Sequence, residues 1–263
     1  MLNVTELSMY LYCPRQFYLQ KVLGVKKPVN KEMMEGRILH EILENFSNSE
    51  EEVIKEIETF DKEKILEKFS FLLEDLKNFS FLKNKNIIEK FSINQEELEN
   101  KANKLIEKEI LIRLPSIEET AKKGFFKEKL WENLSPKYFS EFPLISEKLQ
   151  LKGRVDRIMF SENMIVPFEL KTRNADKVYD SDEIQLAAYS LLLEEKFQKP
   201  INLGILEAGN KKHEVIISKE AKEKVIKLTE EIHSLLLPPS YPSNFSKCQN
   251  CSLKEECDKL VKS

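Results

Sequence analysis

The chain has 263 residues, and its 42 lysines and arginines against 45 aspartates and glutamates give a formal net charge of −3. Its 41% hydrophobic residues, with 16 phenylalanines, are enough to form the core of one large or two modest domains, which excludes a disordered protein. No stretch approaches the ~18 apolar residues of a membrane-spanning helix. The first residues show no basic region followed by an apolar one, which predicts a cytoplasmic protein. Because the chain is nearly neutral, any binding of nucleic acid requires a local basic patch.

The chain lacks the glycine motifs of P-loop and Rossmann nucleotide sites, which excludes those two classes of function from its sequence. Residues 1–46 are predicted to be helical. Pro14 can begin a helix, since a missing N–H costs nothing at the first helical position. Asn30 begins an amphipathic segment that carries His40.

Residues 47–142 are charged and rich in phenylalanine, and they show no catalytic motif. Asn94, followed three residues later by glutamate, has the pattern of a helix N-terminus. We predict a helical insertion whose alternating charges form a solvated face.

Residues 143–237 show the short alternating and apolar runs that are typical of strands, interrupted by helical patterns. This order predicts an α/β core flanked by helices. A proline-rich break then leads into a short tail, residues 238–263, that contains three cysteines. The predicted strands are 153–160, 164–171, 201–208 and 213–217, and the predicted helices are 182–196 and a final one that begins after Ser218.

Three polar residues of the predicted core can form a metal site. Glu169 and Lys171 are two apart on a strand, so their side chains lie on the same face. If the first two predicted strands pair, Asp156 lies near Glu169, and two close carboxylates repel each other unless a divalent cation lies between them. Mg²⁺ or Mn²⁺ held there can polarise a phosphoryl group and activate water, with Lys171 beside it. The alternative is a surface hairpin with ordinary salt bridges.

Three further residues can contribute to this site. His40 is a candidate ligand because a neutral imidazole binds Mn²⁺ well beside carboxylates. Gln185 and Tyr189 are four residues apart on a predicted helix, so they share a face that can reach the metal or the phosphate. The alternatives are a structural helix histidine and a pair of packing residues.

The chain has only four cysteines, of which Cys248, Cys251 and Cys257 are close in sequence while Cys13 is near the N-terminus. Disulfides need an oxidising compartment, so a soft metal centre is the better interpretation. Four thiolates suit tetrahedral zinc or a 4Fe–4S cluster. Zinc sites usually consist of two close cysteine pairs, so the split into one and three favours iron–sulfur. The remaining alternative is that the thiols are buried or incidental.

Six motifs follow one another in residues 1–46 and 143–257. They are Cys13-Pro-Arg-x-Phe-Tyr, Gly36-Arg-x-x-His40, Gly153-Arg-Val-Asp156, Glu169-Leu-Lys171, Gln185-Leu-Ala-Ala-Tyr189 and Cys248-x2-Cys251-x5-Cys257. This ordered set resembles the RecB-like branch of the PD-(D/E)xK nucleases. More narrowly, it is similar to the iron–sulfur CRISPR-associated exonucleases of the fourth Cas class, with AddB-type nuclease domains as more distant relatives.

The resemblance implies a restriction-endonuclease-like α/β core, with a central mixed sheet flanked by helices, a helical insertion and an iron–sulfur lobe. It implies a metal-dependent exonuclease that acts on single-stranded DNA or DNA overhangs and processes prespacer ends in CRISPR adaptation. Its implied cofactors are a 4Fe–4S cluster and Mg²⁺ or Mn²⁺, and its implied partner is the CRISPR integrase complex.

The resemblance also implies roles for individual residues. Lys171 corresponds to the catalytic lysine, and Gln185 and Tyr189 are grouped with it as candidate catalytic residues. The metal ligands are His40, Asp156, Glu169 and the carbonyl of Leu170. The iron–sulfur ligands are Cys13, Cys248, Cys251 and Cys257.

A local basic groove with stacking aromatics would carry the DNA. The candidate DNA-binding residues are Arg154, Arg173, Lys177 and Tyr12, with Lys152, Arg157, Lys171, Phe17 and Tyr18 as further possibilities. Two alternatives stay open: a non-catalytic iron–sulfur DNA-binding subunit of a recombination or repair complex, and a zinc-stabilised protein unrelated to DNA.

Overall fold

The structure, a computed structural model, describes residues 1–171, 176–208, 211–240, 246–249 and 251–260. Within these ranges the chain is mixed α/β, with a six-stranded mixed sheet and flanking helices. The prediction of such a sheet is confirmed. None of the helices in the described ranges has both the length and the apolar character that a membrane span requires.

The helices and strands lie along the chain in the following order. They are β1 Leu2–Asn3, α1 Val4–Tyr12, α2 Pro14–Phe17, a π-helical turn Tyr18–Val22, α3 Lys31–Lys55, α4 Lys62–Lys83, α5 Lys85–Lys90, α6 Gln95–Lys122, α7 Glu128–Asn133, β2 Lys137–Ser146, β3 Leu151–Phe160, β4 Ile165–Lys171, α8 Asp180–Phe197, β5 Leu203–Ala208, β6 Lys211–Ile216, α9 Lys219–His233, α10 Ser246–Gln249 and α11 Lys254–Lys259.

The chain divides into two compact units. The first contains Met1–Pro28, Pro143–Asp156 and Ile165–Ser263, and the second contains Val29–Phe142 and Arg157–Met164. This division differs from the four segments expected from the sequence. Helix α3 belongs with the helical segment rather than with α1 and α2, and the C-terminal tail belongs to the same unit as the N-terminal helices.

The strands follow the order β1-β3-β4-β5-β6, and β2 also pairs with β3. The pairs β1–β3 and β4–β5 are parallel, whereas β5–β6 is antiparallel. Strands β3 and β4 are neighbours, and the turn between them is closed by a 2.9 Å hydrogen bond from the Ser161 amide to the Met164 carbonyl. The two strands that carry the predicted carboxylates are therefore adjacent.

Helix α8 connects the parallel strands β4 and β5, as a parallel pair requires. It packs against both strands and also against α1 and α9, so most of its surface is covered. A helix surrounded in this way is apolar on nearly all sides. Its buried apolar residues are Ile184, Leu186, Ala187, Ala188, Tyr189, Leu192 and Leu193. This burial fixes the position of α8 beside the end of β4.

The second unit has its own apolar core, formed by helices α3, α4, α6 and α7. Both helix starts predicted there are confirmed. The Asn30 side chain accepts a 2.9 Å hydrogen bond from the Met33 amide, and the Asn94 side chain accepts one of 3.1 Å from the Glu97 amide. These caps satisfy backbone donors that the first turn of a helix leaves free.

A buried ionic network lies inside the second unit. Arg113 donates to Glu50 over 2.7 Å and to Glu109 over 2.6 Å, and Arg157 donates to both carboxylate oxygens of Glu109. Burial alone would raise the pKa of Glu109, but the two guanidinium charges lower it to about 2. Burial raises the pKa of Glu50 despite its contact with Arg113.

The network corrects one prediction. Arg157 is completely buried, so it is not available to DNA. A buried guanidinium keeps its charge only where carboxylates pair with it, and Glu109 supplies that pairing.

Candidate active site

The predicted pair on β4 lies at the carboxyl end of that strand. Glu169 is 3% exposed, and Lys171 donates a hydrogen bond of 2.5 Å from its Nζ to Glu169 Oε1. Because residues two apart on a strand project from one face, the pair is held by the strand geometry itself. Strand β5 lies alongside, with Leu206 opposite Glu169.

Glu169 lies in surroundings that disfavour its charge. Burial raises the pKa of its carboxyl, the Lys171 ammonium works against that increase, and the negative charge of Asp182 adds to it. The second oxygen, Oε2, is buried and has no hydrogen-bond partner among the described residues. Such an oxygen is rare in native proteins, and a bound cation is one way to satisfy it.

Asp156 on β3 reaches the same place. Its Oδ2 accepts a 2.7 Å hydrogen bond from the backbone N–H of Leu170, the residue between Glu169 and Lys171. Leu170 itself is half-buried. Three predicted side chains and the predicted carbonyl donor therefore lie around one end of β4.

Gln185 extends this cluster from α8. It is 4% exposed, and its Oε1 accepts hydrogen bonds from Lys171 Nζ at 3.4 Å and from Ser8 Oγ at 3.3 Å. Its side chain also hydrogen-bonds to Glu169 and lowers the pKa of that carboxyl slightly against the effect of burial. Gln185 therefore links α1 to the Glu169–Lys171 pair.

Tyr189 has a different environment from Gln185. It is 1% exposed, and its hydroxyl donates a 2.7 Å hydrogen bond to the backbone carbonyl of Arg154. A side chain at Gly153 would bring its Cβ to 2.9 Å from Tyr189 Cε1 and 3.0 Å from Val4 Cγ2. The ring therefore packs directly on the backbone of the segment that leads to Asp156, and the glycine leaves room for it.

His40 lies on α3 in the second unit, with 58% of its side chain exposed. Its Nδ1 is 2.6 Å from Oε1 of Glu141, which is 5% exposed. The sequence analysis missed Glu141. Its backbone has a left-handed conformation within β2, with φ of 54°, and a sequence of ordinary strand character gives no sign of this. A carboxylate on Nδ1 fixes the orientation of the imidazole ring.

The four cysteines line one cavity of about 30 Å³ in the first unit. All four are free and half-buried. Partial burial and the nearby Cys13, Cys257 and Cys251 raise the pKa of the Cys248 thiol, because neighbouring thiolates repel one another. Thiolates that repel one another in one cavity form a donor set for a soft metal centre.

Arg15, the arginine of the Cys13-Pro-Arg motif, contacts this group of cysteines. It is 5% exposed, and its Nε donates to Cys257 Sγ over 3.2 Å. Its other nitrogens donate to the carbonyls of Cys257 and Pro239, at 3.0 and 2.9 Å. Arg15 therefore connects α2 to the C-terminal segment.

A family model described as the PD-(D/E)XK nuclease superfamily matches residues 1–258. The chain belongs to the PD-(D/E)XK nuclease superfamily. The resemblance to this superfamily drawn from the six motifs is thus confirmed.

Two relatives of this PD-(D/E)XK protein are each 31% identical to it. The CRISPR-associated exonuclease Cas4/endonuclease Cas1 fusion of Leptospira interrogans serogroup Icterohaemorrhagiae serovar Lai (strain 56601) matches over 127 residues, 44% of this chain and 24% of that protein. The CRISPR-associated exonuclease Cas4 of Francisella tularensis subsp. novicida (strain U112) matches over 106 residues, 40% of this chain and 54% of that protein. The matched part is therefore less than two thirds of either relative.

One solved structure, that of SSO0001, covers 46% of this PD-(D/E)XK chain and 57% of its own, with 19% identity and a TM-score of 0.29. That score is too low for a comparison of the two folds.

The candidate DNA-binding residues of this PD-(D/E)XK protein differ in whether their side chains are exposed. Tyr12, Lys177, Arg154 and Lys152 are exposed. Phe17 and Tyr18 are buried in the core, so neither ring can stack on a base. Arg173 lies outside the described residues.

Proposed function

We propose that this chain is a metal-dependent deoxyribonuclease, an exonuclease that acts on single-stranded DNA or DNA overhangs. The observation that supports the proposal most is the buried Glu169, with one oxygen on Lys171 and the other without a partner in the described part of the chain. The two relatives named as Cas4 exonucleases support the same reaction class.

The proposed ligands of the divalent ion, Mg²⁺ or Mn²⁺, are Asp156, Glu169, the carbonyl of Leu170 and His40. Asp156, Glu169 and Leu170 are supported by their common position at the end of β4. His40 is supported by its sequence motif and by the contact of its Nδ1 with Glu141, which orients the ring as a carboxylate orients a ligating histidine. Oxygen and imidazole donors suit these hard or borderline ions.

Within the site, Lys171 is the residue that would touch the reacting groups. Its side chain is 26% exposed, so it can approach a phosphate while keeping its contact with Glu169. There it offsets the negative charge that develops on the phosphoryl oxygens, and Gln185 holds it from the side of α8. A bound divalent ion supplies Lewis-acid polarisation of the phosphate and lowers the pKa of a bound water. Tyr189 is a positioning residue, because it is buried against the backbone of Arg154.

The four cysteines are proposed to hold a 4Fe–4S cluster. Their common cavity and the mutual effect on the Cys248 pKa support a shared metal centre. Zinc is the alternative, since four thiolates suit both. Elemental analysis of an anaerobically purified sample distinguishes iron from zinc.

The proposed context is the processing of prespacer ends in CRISPR adaptation, with the integrase complex as partner. A relative in which the exonuclease is fused to a Cas1 endonuclease supports this association. A pull-down with purified integrase tests it.

The nuclease is tested with end-labelled single-stranded DNA and Mn²⁺. We expect Lys171→Ala and Asp156→Ala to lower the cleavage rate by at least about 100-fold, because each removes a group that acts on the transition state. Lys219→Ala is the matched control, since this exposed lysine on α9 pairs only loosely with Glu223, at 3.6 Å. It should cleave like the unchanged protein.

Three outcomes decide between the candidate functions. Cleavage that depends on Lys171, in an iron-containing protein, supports the proposal. Iron without cleavage indicates a non-catalytic DNA-binding subunit, and zinc without cleavage indicates a protein unrelated to DNA. Circular dichroism shows whether the variants are folded, so that a loss of activity is not a loss of structure.

A further inference from the structure

Two exposed tyrosines line a single cavity of about 530 Å³ in the first unit. Tyr12 is 51% exposed at the end of α1, and Tyr179 is 46% exposed just before α8. The cavity is also lined by Lys177 and Lys247. Aromatic side chains of this size are usually buried, so two exposed rings in one cavity need an explanation.

Each ring has a lysine ammonium above it. Lys247 Nζ lies 4.4 Å from the centroid of the Tyr12 ring, and Lys177 Nζ lies 5.5 Å from that of the Tyr179 ring. Lys247 also donates a 3.2 Å hydrogen bond to the Tyr12 carbonyl. Isolated cation–π pairs are common on protein surfaces, so neither pair alone indicates a binding site. Two such pairs in one cavity combine flat apolar faces with positive charge.

The cavity is connected to the proposed active site through a chain of three hydrogen bonds, of 2.9, 3.3 and 3.4 Å. Ser181, which lines the cavity, accepts a 2.9 Å hydrogen bond at its carbonyl from Ser8 Oγ. The same Ser8 hydroxyl contacts Gln185 Oε1, and Gln185 contacts Lys171. A strand bound in the cavity would therefore lie on the same two helices that hold the catalytic lysine.

The chemistry of the cavity fits an unpaired nucleic-acid strand. Flat rings stack bases without reading their sequence, and lysines contact the phosphates between them. The volume is within the range of ~300–1,000 Å³ that is usual for ligand pockets. Asp180 also lines the cavity, and its carboxylate repels phosphate from that wall. The bases of a duplex are already paired and stacked, so they are not available to the rings.

We propose that Tyr12 and Tyr179 form a base-stacking subsite for the unpaired end of a DNA strand. This inference rests on the proposed nuclease function and adds to it the feature that selects single strands. Lys177 and Lys247 neutralise the phosphates of the bound nucleotides.

Binding is measured by fluorescence anisotropy of the full chain with a short labelled single strand, without added divalent metal. Tyr179→Leu and Tyr12→Leu should each weaken binding roughly 5- to 150-fold, which corresponds to the ~1–3 kcal/mol of one stacked base. Tyr179→Phe should bind like the unchanged protein. Phe71→Leu is the matched control, since this ring on α4 is 65% exposed and does not line the cavity.

The DNA provides a second, independent test. A strand whose terminal bases are replaced by abasic sites should bind the unchanged protein as weakly as the normal strand binds the double variant Tyr12→Leu/Tyr179→Leu. The double variant should lose nothing further with the abasic strand, because both stacking contacts are already absent. Binding of a blunt hairpin duplex should not respond to the substitution. An absorbance spectrum checks the cysteine-bound centre, because Tyr12 precedes Cys13.

The possible results distinguish a failure of the base-stacking subsite from a failure of the proposed nuclease function. Unchanged binding in both leucine variants overturns the subsite, even where Lys171→Ala abolishes cleavage. Weakened binding in those variants, in a protein that cleaves nothing, supports the subsite and overturns the nuclease. An equal further loss when the abasic strand meets the double variant Tyr12→Leu/Tyr179→Leu also overturns the subsite, since the lost contacts would then not be stacking.

Discussion

Replacing Glu109 by glutamine should strongly destabilise the second unit. Glu109 is fully buried between Arg113 and Arg157, and it accepts hydrogen bonds of 2.6, 3.0 and 3.1 Å from them. Glutamine keeps the size of the side chain but removes its charge. Arg113 would then keep its contact with Glu50, and Arg157 would lose the charge of the carboxylate that accepts from its Nε.

The size of the effect follows from two independent estimates. The fall of the Glu109 pKa from 4.5 to about 2 corresponds, at about 1.4 kcal/mol per pH unit, to about 3 kcal/mol. Removal of one partner from a buried ion pair typically costs ~3–5 kcal/mol. We therefore expect Glu109→Gln to lower the free energy of unfolding by about 3 to 5 kcal/mol at neutral pH.

The same pKa gives a pH dependence with a definite sign. A carboxyl whose pKa is lower in the folded protein stabilises it at pH values above its unfolded pKa. The contribution is lost as the pH falls through the interval from 4.5 to about 2. The difference between the unchanged protein and Glu109→Gln should therefore be constant at neutral pH and shrink by about 2 kcal/mol by pH 3.

The assay uses the only tryptophan of the chain, Trp131, which packs against the core of the second unit. Urea unfolding followed by its fluorescence reports on this unit. Glu118→Gln on the same helix is the matched control: Glu118 pairs with Lys122 at the surface, and its loss should cost less than ~1 kcal/mol. If Glu109→Gln unfolds at the same urea concentration as Glu118→Gln, the buried ionic network does not stabilise the fold.

Two more predictions concern the active site. Gly153→Ala should lower the stability of the first unit by ~1–3 kcal/mol, because the new methyl group would lie 2.9 Å from the ring of Tyr189. Thermal unfolding followed by circular dichroism measures this change. A melting curve identical to that of the unchanged protein would contradict this packing. Glu141→Gln should weaken Mn²⁺ binding ~10- to 100-fold in an electron paramagnetic resonance titration, since it loosens the orientation of His40. If Glu141→Gln keeps its Mn²⁺ affinity while His40→Ala loses affinity, Glu141 does not orient the proposed ligand His40.

Local patterns were sufficient to predict several features from the sequence. The caps at Asn30 and Asn94 depend on residues three positions away, and the common face of Glu169 and Lys171 depends only on the alternation of a strand. The cysteines could be grouped because the chain has only four of them and three are close together in sequence. In each case the information lies within a few residues or in a rare residue type.

Features that depend on distant partners could not be predicted. Arg157 is a charged residue of a kind that is mostly exposed, but Glu109 on a helix distant in sequence pairs with it and allows its burial. Glu141 depends on an unusual backbone conformation within β2. The steric need for Gly153 becomes visible only when Tyr189 is in place. No local pattern encodes such tertiary contacts.

Arg15 donates hydrogen bonds to two peptide carbonyls of the C-terminal segment, those of Pro239 and Cys257. Every residue type has a backbone carbonyl, so these hydrogen bonds do not depend on the side chains at the accepting positions. Substitutions around Pro239 and Cys257 are therefore compatible with this attachment, provided that the backbone keeps its conformation and the cysteine sulfur is retained. Sequence divergence in that stretch is consequently a poor measure of whether a related chain retains the same attachment.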